Sequence, residues 1–262
     1  VEGERVAVIG CGSSYFNAQA YAGLREQSGQ GETDAFPASE FPAHRRYDRV
    51  VAISRSGTTT EVLRAVATVP ADTPSIAIVA DPSSPLAQQV DSAVAIKFAD
   101  EESVVQTRFA TSALMLLRAG LGEPVEPLVA AAKKALTEPL PSEAHTARLL
   151  TFLGVGWTIG IANEAAHKLR EAAQLWTDSY SAMEYRHGAN CLADEKTLVW
   201  ILGTPPSGLV DQTTRYGAKV HVGEADPMVE LVRVHRLAVE LTNARGLDPD
   251  RPRNLARSII LS

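Results

Sequence analysis

Cysteine is scarce in this sequence of 262 residues, which contains only Cys11 and Cys191. Two cysteines so far apart argue against a disulfide framework and indicate a reduced, cytoplasmic setting, with both side chains as small buried residues. Cys11 stands between two glycines with no basic partner nearby in the sequence, which argues against a nucleophilic role.

Long apolar runs and basic runs are missing as well. The longest apolar runs, such as residues 198–202, are far too short to span a bilayer, and no signal peptide is visible, so we expect no membrane partner. The net charge is −6, and the basic pairs at 45–46 and 133–134 are isolated, which argues against a nucleic-acid partner. No cluster of side chains has metal-ligand spacing, and we expect no cofactor.

Short apolar runs alternate with helical patterns, and the apolar and charged fractions, 45% and 21%, are those of an ordinary globular protein. This rhythm predicts a parallel sheet covered on both faces. The strand-like runs are 5–9, 49–53, 75–80 and 93–96, and the helical patterns are 14–26, 60–69, 84–90, 102–121 and 126–136.

The pattern then begins again after a proline-containing linker. Residues 148–158 repeat the order seen at 5–14: a strand, a Gly-x-Gly turn and an amphipathic helix. We therefore predict an α/β protein of two doubly wound, three-layer lobes, with a first lobe at 1–137, a linker at 138–147 and a second lobe with the tail at 148–262. Residues 217–227 leave little room for further strands, so the second sheet should be smaller.

The stretch Ser54-Arg-Ser-Gly-Thr-Thr-Thr-Glu61 follows a buried strand and opens a helix. Hydroxyl side chains, backbone N–H groups and a positive helix end at one turn favour an anion, phosphate above all. A plain Ser/Thr helix cap is the alternative, but a cap needs only one hydroxyl. The corresponding turn of the second lobe, 203–207, contains two prolines, which remove N–H donors.

The turn Gly10-Cys-Gly-Ser-Ser14 opens the first helix. Gly-x-Gly after a first strand is typical of dinucleotide sites, but the third glycine is absent. Asp34 stands close to the place of the usual acidic residue, yet Pro37 and Pro42 predict an irregular segment there. We instead expect Ser13 and Ser14 to donate hydroxyls toward the turn that begins at Ser54.

Several motifs, in the same order along nearly the whole chain, resemble the sugar isomerase (SIS) family, which includes the isomerase domain of glucosamine-6-phosphate synthase and stand-alone isomerases, deaminases and deglycases. The resemblance implies two lobes related by a pseudo-twofold axis and a homodimer with sites near the interface. The motifs are 10–15, 53–59, 102–117, 169–171, 184–188 and 250–258.

The resemblance also implies the ligand-binding residues of a sugar phosphate. The phosphate would be held by Ser54, the backbone N–H of Arg55, Ser56 and Thr59. Ser14, with Ser13 as a second candidate, would contact phosphate or sugar, and Val104 would offer a backbone contact to the sugar.

By the same resemblance Glu171 is the catalytic base and His187 the ring-opening histidine. Independent chemistry agrees, because aldose–ketose isomerisation needs one carboxylate to carry a proton between C1 and C2, and ring opening needs a group that titrates near neutral pH. The residues alone leave other interpretations open: Glu171 as an exposed helix-end carboxylate, and His187 as a helix-end residue before Gly188. The other histidines fit no motif.

The tail motif departs from the family at Arg257, where the synthase has a lysine that forms a Schiff base. Arginine stays protonated and cannot form an imine, but it can orient an anionic or hydroxyl-bearing substrate. These 262 residues contain no glutaminase domain, so we expect no ammonia release from glutamine by this segment.

The sequence therefore predicts a phosphosugar isomerase or amino-sugar-phosphate isomerase/deaminase that acts on a hexose or amino-hexose 6-phosphate. A non-catalytic phosphosugar sensor is the alternative: Glu171 and His187 argue against it, whereas Arg257 argues for it. A nucleotide-dependent dehydrogenase is the third reading and would require NAD.

Overall fold

The computed structural model describes residues 2–261 and consists of two compact units. The first contains Val1–Glu123 and Arg253–Ser262, and the second contains Pro124–Pro252. The first unit has strands β1 (Val6–Gly10), β2 (Thr33–Pro37), β3 (Arg49–Ser54), β4 (Ser75–Val79) and β5 (Ser92–Ala95), with helices α1 (Ser13–Gln27), α2 (Thr60–Ala67), α3 (Pro85–Gln89) and α4 (Arg108–Gly120).

The first unit is built on a parallel five-stranded sheet with the order β2-β1-β3-β4-β5. Side chains that alternate along its strands enter two separate apolar clusters. Ala7 and Ile9 belong to a cluster with Val62 of α2, whereas Val8 belongs to a cluster with Ala18 of α1 and Phe109 of α4. The helices therefore cover both faces, and the predicted doubly wound sheet is confirmed.

One strand of this sheet lies where we predicted an irregular segment. β2 pairs with β1 along its whole length, and Pro37 is its last residue, opposite Gly10. Proline is tolerated there because β2 is at the edge of the sheet and its outer side needs no N–H donor. The interpretation of this segment as irregular because of its prolines was therefore wrong.

Helix α4 begins at Arg108 rather than at the predicted residue 102. The carboxylate of Glu101 accepts hydrogen bonds from the backbone N–H groups of Thr107, Arg108 and Phe109. This carboxylate satisfies the first donors of the helix from six residues upstream, so the chain between 101 and 107 remains a loop.

The second unit repeats the topology of the first with one strand fewer. Its four-stranded parallel sheet has the order β7-β6-β8-β9, matching β2-β1-β3-β4. The predicted duplication and the smaller second sheet are confirmed. The elements are α5 (Glu126–Ala135), β6 (Leu149–Gly154), α6 (Thr158–Ala173), β7 (Thr177–Ser181), β8 (Thr197–Leu202), α7 (Leu209–Arg215), β9 (Lys219–Val222) and α8 (Pro227–Ala244).

Strand β9 lies within residues 217–227, which we expected to have little room for further strands. Its four residues pair in parallel with β8, from Lys219 opposite Leu198 to Val222 opposite Ile201. Only four residues are needed here because β9 is an edge strand.

The boundary between the units lies after Glu123. We had predicted that the first lobe ends at residue 137 and that the second begins at residue 148. The guanidinium of Arg236 on α8 donates to the carbonyls of Ala135 and Glu138, at 2.8 and 2.7 Å. These bonds hold α5 and the segment after it on α8, so both belong to the second unit. Residues 253–261, which we assigned to the second lobe, belong to the first.

Every helix formed by residues 2–261 is too short or too polar to cross a bilayer. Cys11 is half-buried and Cys191 is exposed, so the expectation that both cysteines are buried was wrong for Cys191.

Close packing of strand β1 against α1 makes Gly10 a sensitive position. A Cβ at Gly10 would lie 2.7 Å from the backbone carbon of Ser14, whereas a Cβ at Gly120 would meet nothing within 4 Å. We predict that Gly10→Ala lowers the free energy of unfolding by about 1–3 kcal/mol, because backbone must shift. Gly120→Ala should change it by no more than about 1 kcal/mol, and in the stabilising direction. Chemical denaturation of both variants tests this, and equal stabilities would contradict it.

Candidate active site

The candidate site of the first unit lies at the point where the strand order reverses. β1 and β3 are neighbours, but the chain continues from β1 to β2 on one side and from β3 to β4 on the other. The loops after these two strands therefore share the carboxyl edge of the sheet, where open α/β sheets bind ligands. Ser13 and Ser14 are buried in the first turn of α1, at this edge.

The loop after β3, residues 54–60, is here called the hydroxyl loop. Gly57 has φ of 62°, and a Cβ there would lie 2.2 Å from the Ser84 hydroxyl, so only glycine fits. The Gly57 N–H donates to Ser54 Oγ and the Thr58 N–H donates to Ser56 Oγ, each at 3.2 Å. Two of the backbone N–H groups that we expected to bind an anion therefore donate within the loop. The hydroxyl protons of the loop remain as the main donors for an anion.

The tail, residues 253–261, covers the hydroxyl loop, which we did not predict. The hydroxyl oxygen of Ser258 lies 2.9 Å from that of Thr58, 3.2 Å from that of Ser56 and 3.4 Å from that of Thr59. The N–H of Thr60 donates to the carbonyl of Ile259 at 3.1 Å. The tail therefore occupies the N-terminal end of α2 as well as the neighbourhood of the hydroxyls.

The side chain of Arg55 is buried beneath the hydroxyl loop, with 1% of its surface exposed. Its guanidinium donates to the carbonyls of Ser103 and Val104 at 2.6 and 3.0 Å, and it lies 3.9 Å from the Glu101 carboxylate. Arg55 thus fixes the position of Val104, the residue for which we predicted a backbone contact to a sugar.

Arg257 is engaged with the chain itself. Its guanidinium forms an ion pair with Asp100 and donates to the carbonyl of Glu101. The side chain is 40% exposed, so the pair lies in contact with solvent. The predicted role of Arg257 in orienting a substrate therefore competes with its role in anchoring the tail.

In the second unit, Glu171 lies near the end of α6 with a basic side chain at each carboxylate oxygen. Lys168 forms a short hydrogen bond with Oε2, and Nε2 of His167 lies 3.1 Å from Oε1. Burial alone raises the pKa of Glu171, but the hydrogen bond from His167 and the charge of Lys168 outweigh burial and lower it to about 2. The carboxylate is therefore ionised at neutral pH.

Lys168 is buried within this cluster, with 1% of its side chain exposed. It also lies 3.5 Å from the fully buried carboxylate of Glu164, one helical turn earlier. On α8, burial and the charge of Lys168 lower the pKa of His235 to about 3, so that imidazole is neutral. The cluster thus holds one buried cation against two carboxylates, as a buried charge requires.

His187 is the exposed last residue of a short 3-10 helix, Glu184–His187. Among residues 2–261, no hydrogen bond or ion pair joins His187 to Glu171. The two predicted catalytic residues therefore belong to the same unit without a hydrogen bond or ion pair between them.

The turn of the second unit that corresponds to the hydroxyl loop is organised differently. Thr158, which holds the place of Ser14 in the repeat, donates to the carbonyl of Leu202 and accepts from the N–H of Val155, both at 2.7 Å. Its hydroxyl is consumed in joining β6 to β8. Residues 203–207 supply two prolines there rather than a row of hydroxyls.

Sequence reasoning missed Ser258, His167 and Lys168. His167 and Lys168 precede Glu171 by four and three residues on a helix, and this spacing alone places them on its face. Ser258 follows Arg257 directly in the tail motif, but no local signal tells which loop a tail covers. Among residues 2–261, no group of three or more His, Cys, Asp or Glu side chains has a geometry for a metal ion.

Comparison with protein families and curated proteins gives concordant matches. The SIS domain model matches residues 2–120. The glutamine–fructose-6-phosphate aminotransferase [isomerizing] of Caulobacter vibrioides is 27% identical, over 98% of this chain and 52% of its own length. The enzyme of the same name from Methanothermobacter thermautotrophicus is 28% identical, with the same coverage. The chain spans about half the length of these curated relatives.

Solved structures share the fold across nearly the whole chain. Glucosamine-6-phosphate deaminase from Thermotoga maritima superposes with a TM-score of 0.83 at 26% identity, covering 98% of this chain and 91% of its own. Tagatose-6-phosphate ketose/aldose isomerase from Escherichia coli has a TM-score of 0.78 at 19% identity, covering 94% and 84%, and this likeness is one of fold.

The contact between His167 and Glu171 yields a prediction about pH. We expect no titration of Glu171 between pH 7 and 4 in the native protein, because its pKa is about 2. His167→Leu removes one of the two donors, so the pKa should rise toward the ordinary value of 4.5. Carboxyl-carbon NMR titration measures both, with His145→Leu, which removes an exposed His–Glu contact elsewhere, as the control.

The lowered pKa of Glu171 also determines how the stability of the fold depends on pH. Since folding lowers the pKa of Glu171, its pairing stabilises the fold above the ordinary pKa of 4.5, and this contribution is lost as pH falls toward about 2. In His167→Leu the loss should be smaller and should be complete at a higher pH, because the folded pKa lies closer to the unfolded one. An unchanged Glu171 titration in His167→Leu would contradict the assigned contact.

Proposed function

We propose, on the premise that residues 2–120 match the SIS domain model, that the chain is a SIS-family phosphosugar isomerase or amino-sugar-phosphate isomerase/deaminase acting on a hexose or amino-hexose 6-phosphate. The observation that carries this proposal is the hydroxyl loop at the reversal point of the first sheet. Its Ser56, Thr58 and Thr59 hydroxyls all lie within 3.4 Å of one point, the hydroxyl of Ser258, at the N-terminal end of α2.

The hydroxyl loop would hold the phosphate. Ser54, Ser56 and Thr59 donate hydroxyl protons, and the backbone N–H of Arg55 adds a donor at the same turn. A hydrogen bond to a charged oxygen is about twice as strong as one between neutral groups, so an anion gains more from these donors than the hydroxyls gain from each other. Ser13 and Ser14 supply the neighbouring edge of the site from α1.

Glu171 would transfer the proton. Its carboxylate takes the proton from C2 of the open-chain aldose while the C1 oxygen gains one, which gives an enediol. Return of the carboxylate's proton to C1, with loss of the proton on the C2 oxygen, gives the ketose. If C2 carries an amine, the same transfer gives a ketimine, and water then releases ammonia from it. Val104 would contact the sugar through its backbone.

Lys168 and His167 decide how strong a base Glu171 is. A carboxylate with a pKa of about 2 is a weak base, so turnover requires the two donors to turn from Glu171 to substrate oxygens. The same donors would then stabilise the negative charge that develops on those oxygens in the transition state.

His187 would open the sugar ring, since imidazole can exchange a proton near neutral pH with the ring or anomeric oxygen. Arg257 would not form an imine, because its guanidinium stays protonated. The proposed reaction therefore proceeds by ring opening and proton transfer, without a covalent intermediate on the tail.

The comparisons support this class of reaction. The relatives are named as an aminotransferase of fructose 6-phosphate, a glucosamine-6-phosphate deaminase and a tagatose-6-phosphate isomerase. All three names describe chemistry on a hexose 6-phosphate. We further propose a homodimer, as the family resemblance implies, and a cytoplasmic setting, in keeping with the two free cysteines.

A non-catalytic phosphosugar sensor is the second candidate function. The observation that favours it is the ion pair between Arg257 and Asp100, which occupies the tail residue that stands in the place of the synthase's catalytic lysine. A sensor would keep the hydroxyl loop and have no use for an ionised Glu171.

Replacement of Glu171 separates the two functions. We predict that Glu171→Gln lowers kcat by about 10²–10⁴-fold, because the general base is lost, while phosphosugar affinity changes little. Ser56→Ala is the matched control and should weaken phosphosugar binding. Isomerisation of hexose 6-phosphates by coupled assay and binding by calorimetry measure the two effects. Full activity in Glu171→Gln would exclude it as the base.

Selectivity for the phosphate is a separate prediction. A sugar 6-phosphate at a hundred times its Kd should stabilise the protein by about 2.7 kcal/mol, whereas the same sugar without phosphate should leave the melting temperature unchanged. Thermal shift across hexose and amino-hexose 6-phosphates also ranks substrates. Equal shifts with and without the phosphate would remove the hydroxyl loop from the binding site.

A further inference from the structure

We propose that Ser258 is a phosphate-binding residue, so that the tail and a phosphosugar occupy the first unit together instead of excluding each other. This inference rests on the proposed function, which assigns the phosphate to the hydroxyl loop, and it extends that site by a residue from the tail, about 200 positions away in the sequence.

The first step is the position of the Ser258 hydroxyl. Its oxygen lies within 3.4 Å of the hydroxyl oxygens of Ser56, Thr58 and Thr59. Ser56 and Thr59 are two of the proposed phosphate ligands. Because the Ser258 hydroxyl contacts two of the proposed phosphate ligands, it lies next to the position expected for the phosphate.

The second step is the donor capacity of these four hydroxyls. Each carries one proton and can accept two hydrogen bonds. Without an anion, the Ser56 and Thr58 hydroxyls donate to the Ser258 hydroxyl, which is a neutral acceptor. A phosphate group offers three charged oxygens, and rotation about the C–O bonds is enough to turn the protons toward it. Ser258 adds a donor to this set without any movement of the backbone.

The third step is that Ser258 is held on both sides by contacts outside the hydroxyl set. Before it, Arg257 forms an ion pair with Asp100 and donates to the Glu101 carbonyl. After it, the Ile259 carbonyl accepts from the Thr60 N–H at 3.1 Å, and the Leu261 N–H donates to Thr60 Oγ1 at 2.9 Å. Expulsion of the tail would break all of these contacts, whereas turning the hydroxyl breaks none.

The rival interpretation is that the tail is a competitor that phosphate must displace. The two interpretations predict opposite signs for the same variant. If Ser258 is a phosphate ligand, removal of its hydroxyl weakens phosphate binding. If Ser258 instead occupies the phosphate position, removal of its hydroxyl strengthens phosphate binding.

The test is calorimetric titration of inorganic phosphate into the full chain and its Ser258→Ala variant at pH 7. We expect the affinity of Ser258→Ala to fall about tenfold, the usual loss for one hydrogen bond to a charged group. Ser258→Thr keeps a hydroxyl and should retain most of the affinity. Ser142→Ala, an exposed serine of the second unit, is the control and should match the native protein.

Limited trypsin digestion gives an independent measurement on the native chain, since Arg253 and Arg257 are tail cleavage sites. Phosphate should slow cleavage there if the tail binds with it. Faster cleavage with phosphate, or equal or tighter phosphate affinity in Ser258→Ala, would overturn the inference.

The variant Ser56→Ala distinguishes a failure of the inference about Ser258 from a failure of the proposed function. If Ser56→Ala weakens phosphate binding and Ser258→Ala does not, only the inference about Ser258 falls. If Ser56→Ala also leaves phosphate affinity unchanged, the hydroxyl loop is not the phosphate site, and both proposals fall.

Discussion

The first unit depends on one buried cation, the guanidinium of Arg55. It stands at the end of a central strand and reaches the carbonyls of Ser103 and Val104, the carboxylate of Glu101 and, at 3.5 Å, the carbonyl of Arg257. A buried guanidinium must have each of its donors satisfied, so it draws separate loops to one place. The residue that follows the strand thereby organises the loop, the start of α4 and the tail around the candidate phosphate position.

The two units show how one topology supports two kinds of site. Both put a Gly-x-Gly turn and a second loop at the reversal point of a parallel sheet. In the first unit hydroxyls remain near one another at that edge, while in the second Thr158 ties two strands together. The chemistry of the second unit lies instead on α6, where a buried lysine and a histidine hold a carboxylate.

Much of this fold could be predicted from the sequence, because buried parallel strands read as continuous apolar runs and the duplication repeats a visible pattern. The edge strand β2 was missed because its proline predicted an irregular segment. Its pairing with β1 depends on the neighbouring strand and cannot be read from the local sequence. The start of α4 was misplaced because its capping carboxylate, Glu101, lies seven residues before the first residue of the helix. Of the candidate site, Ser54–Thr59 and Glu171 followed from motifs. The contact of the hydroxyl loop with Ser258 is a tertiary contact that no local pattern encodes, whereas the partners of Glu171 lie three and four residues before it on the same helix.

The composition of the first unit has a consequence for how the chain comes to be folded. Residues 253–261 belong to it, yet they are synthesised after the whole second unit. A ribosome therefore presents a first sheet, complete in its strands, long before Ser258 and Arg257 exist, and domains form in the order of synthesis. The hydroxyl loop is therefore synthesised, and can fold with its sheet, before the tail residues that contact it have been made.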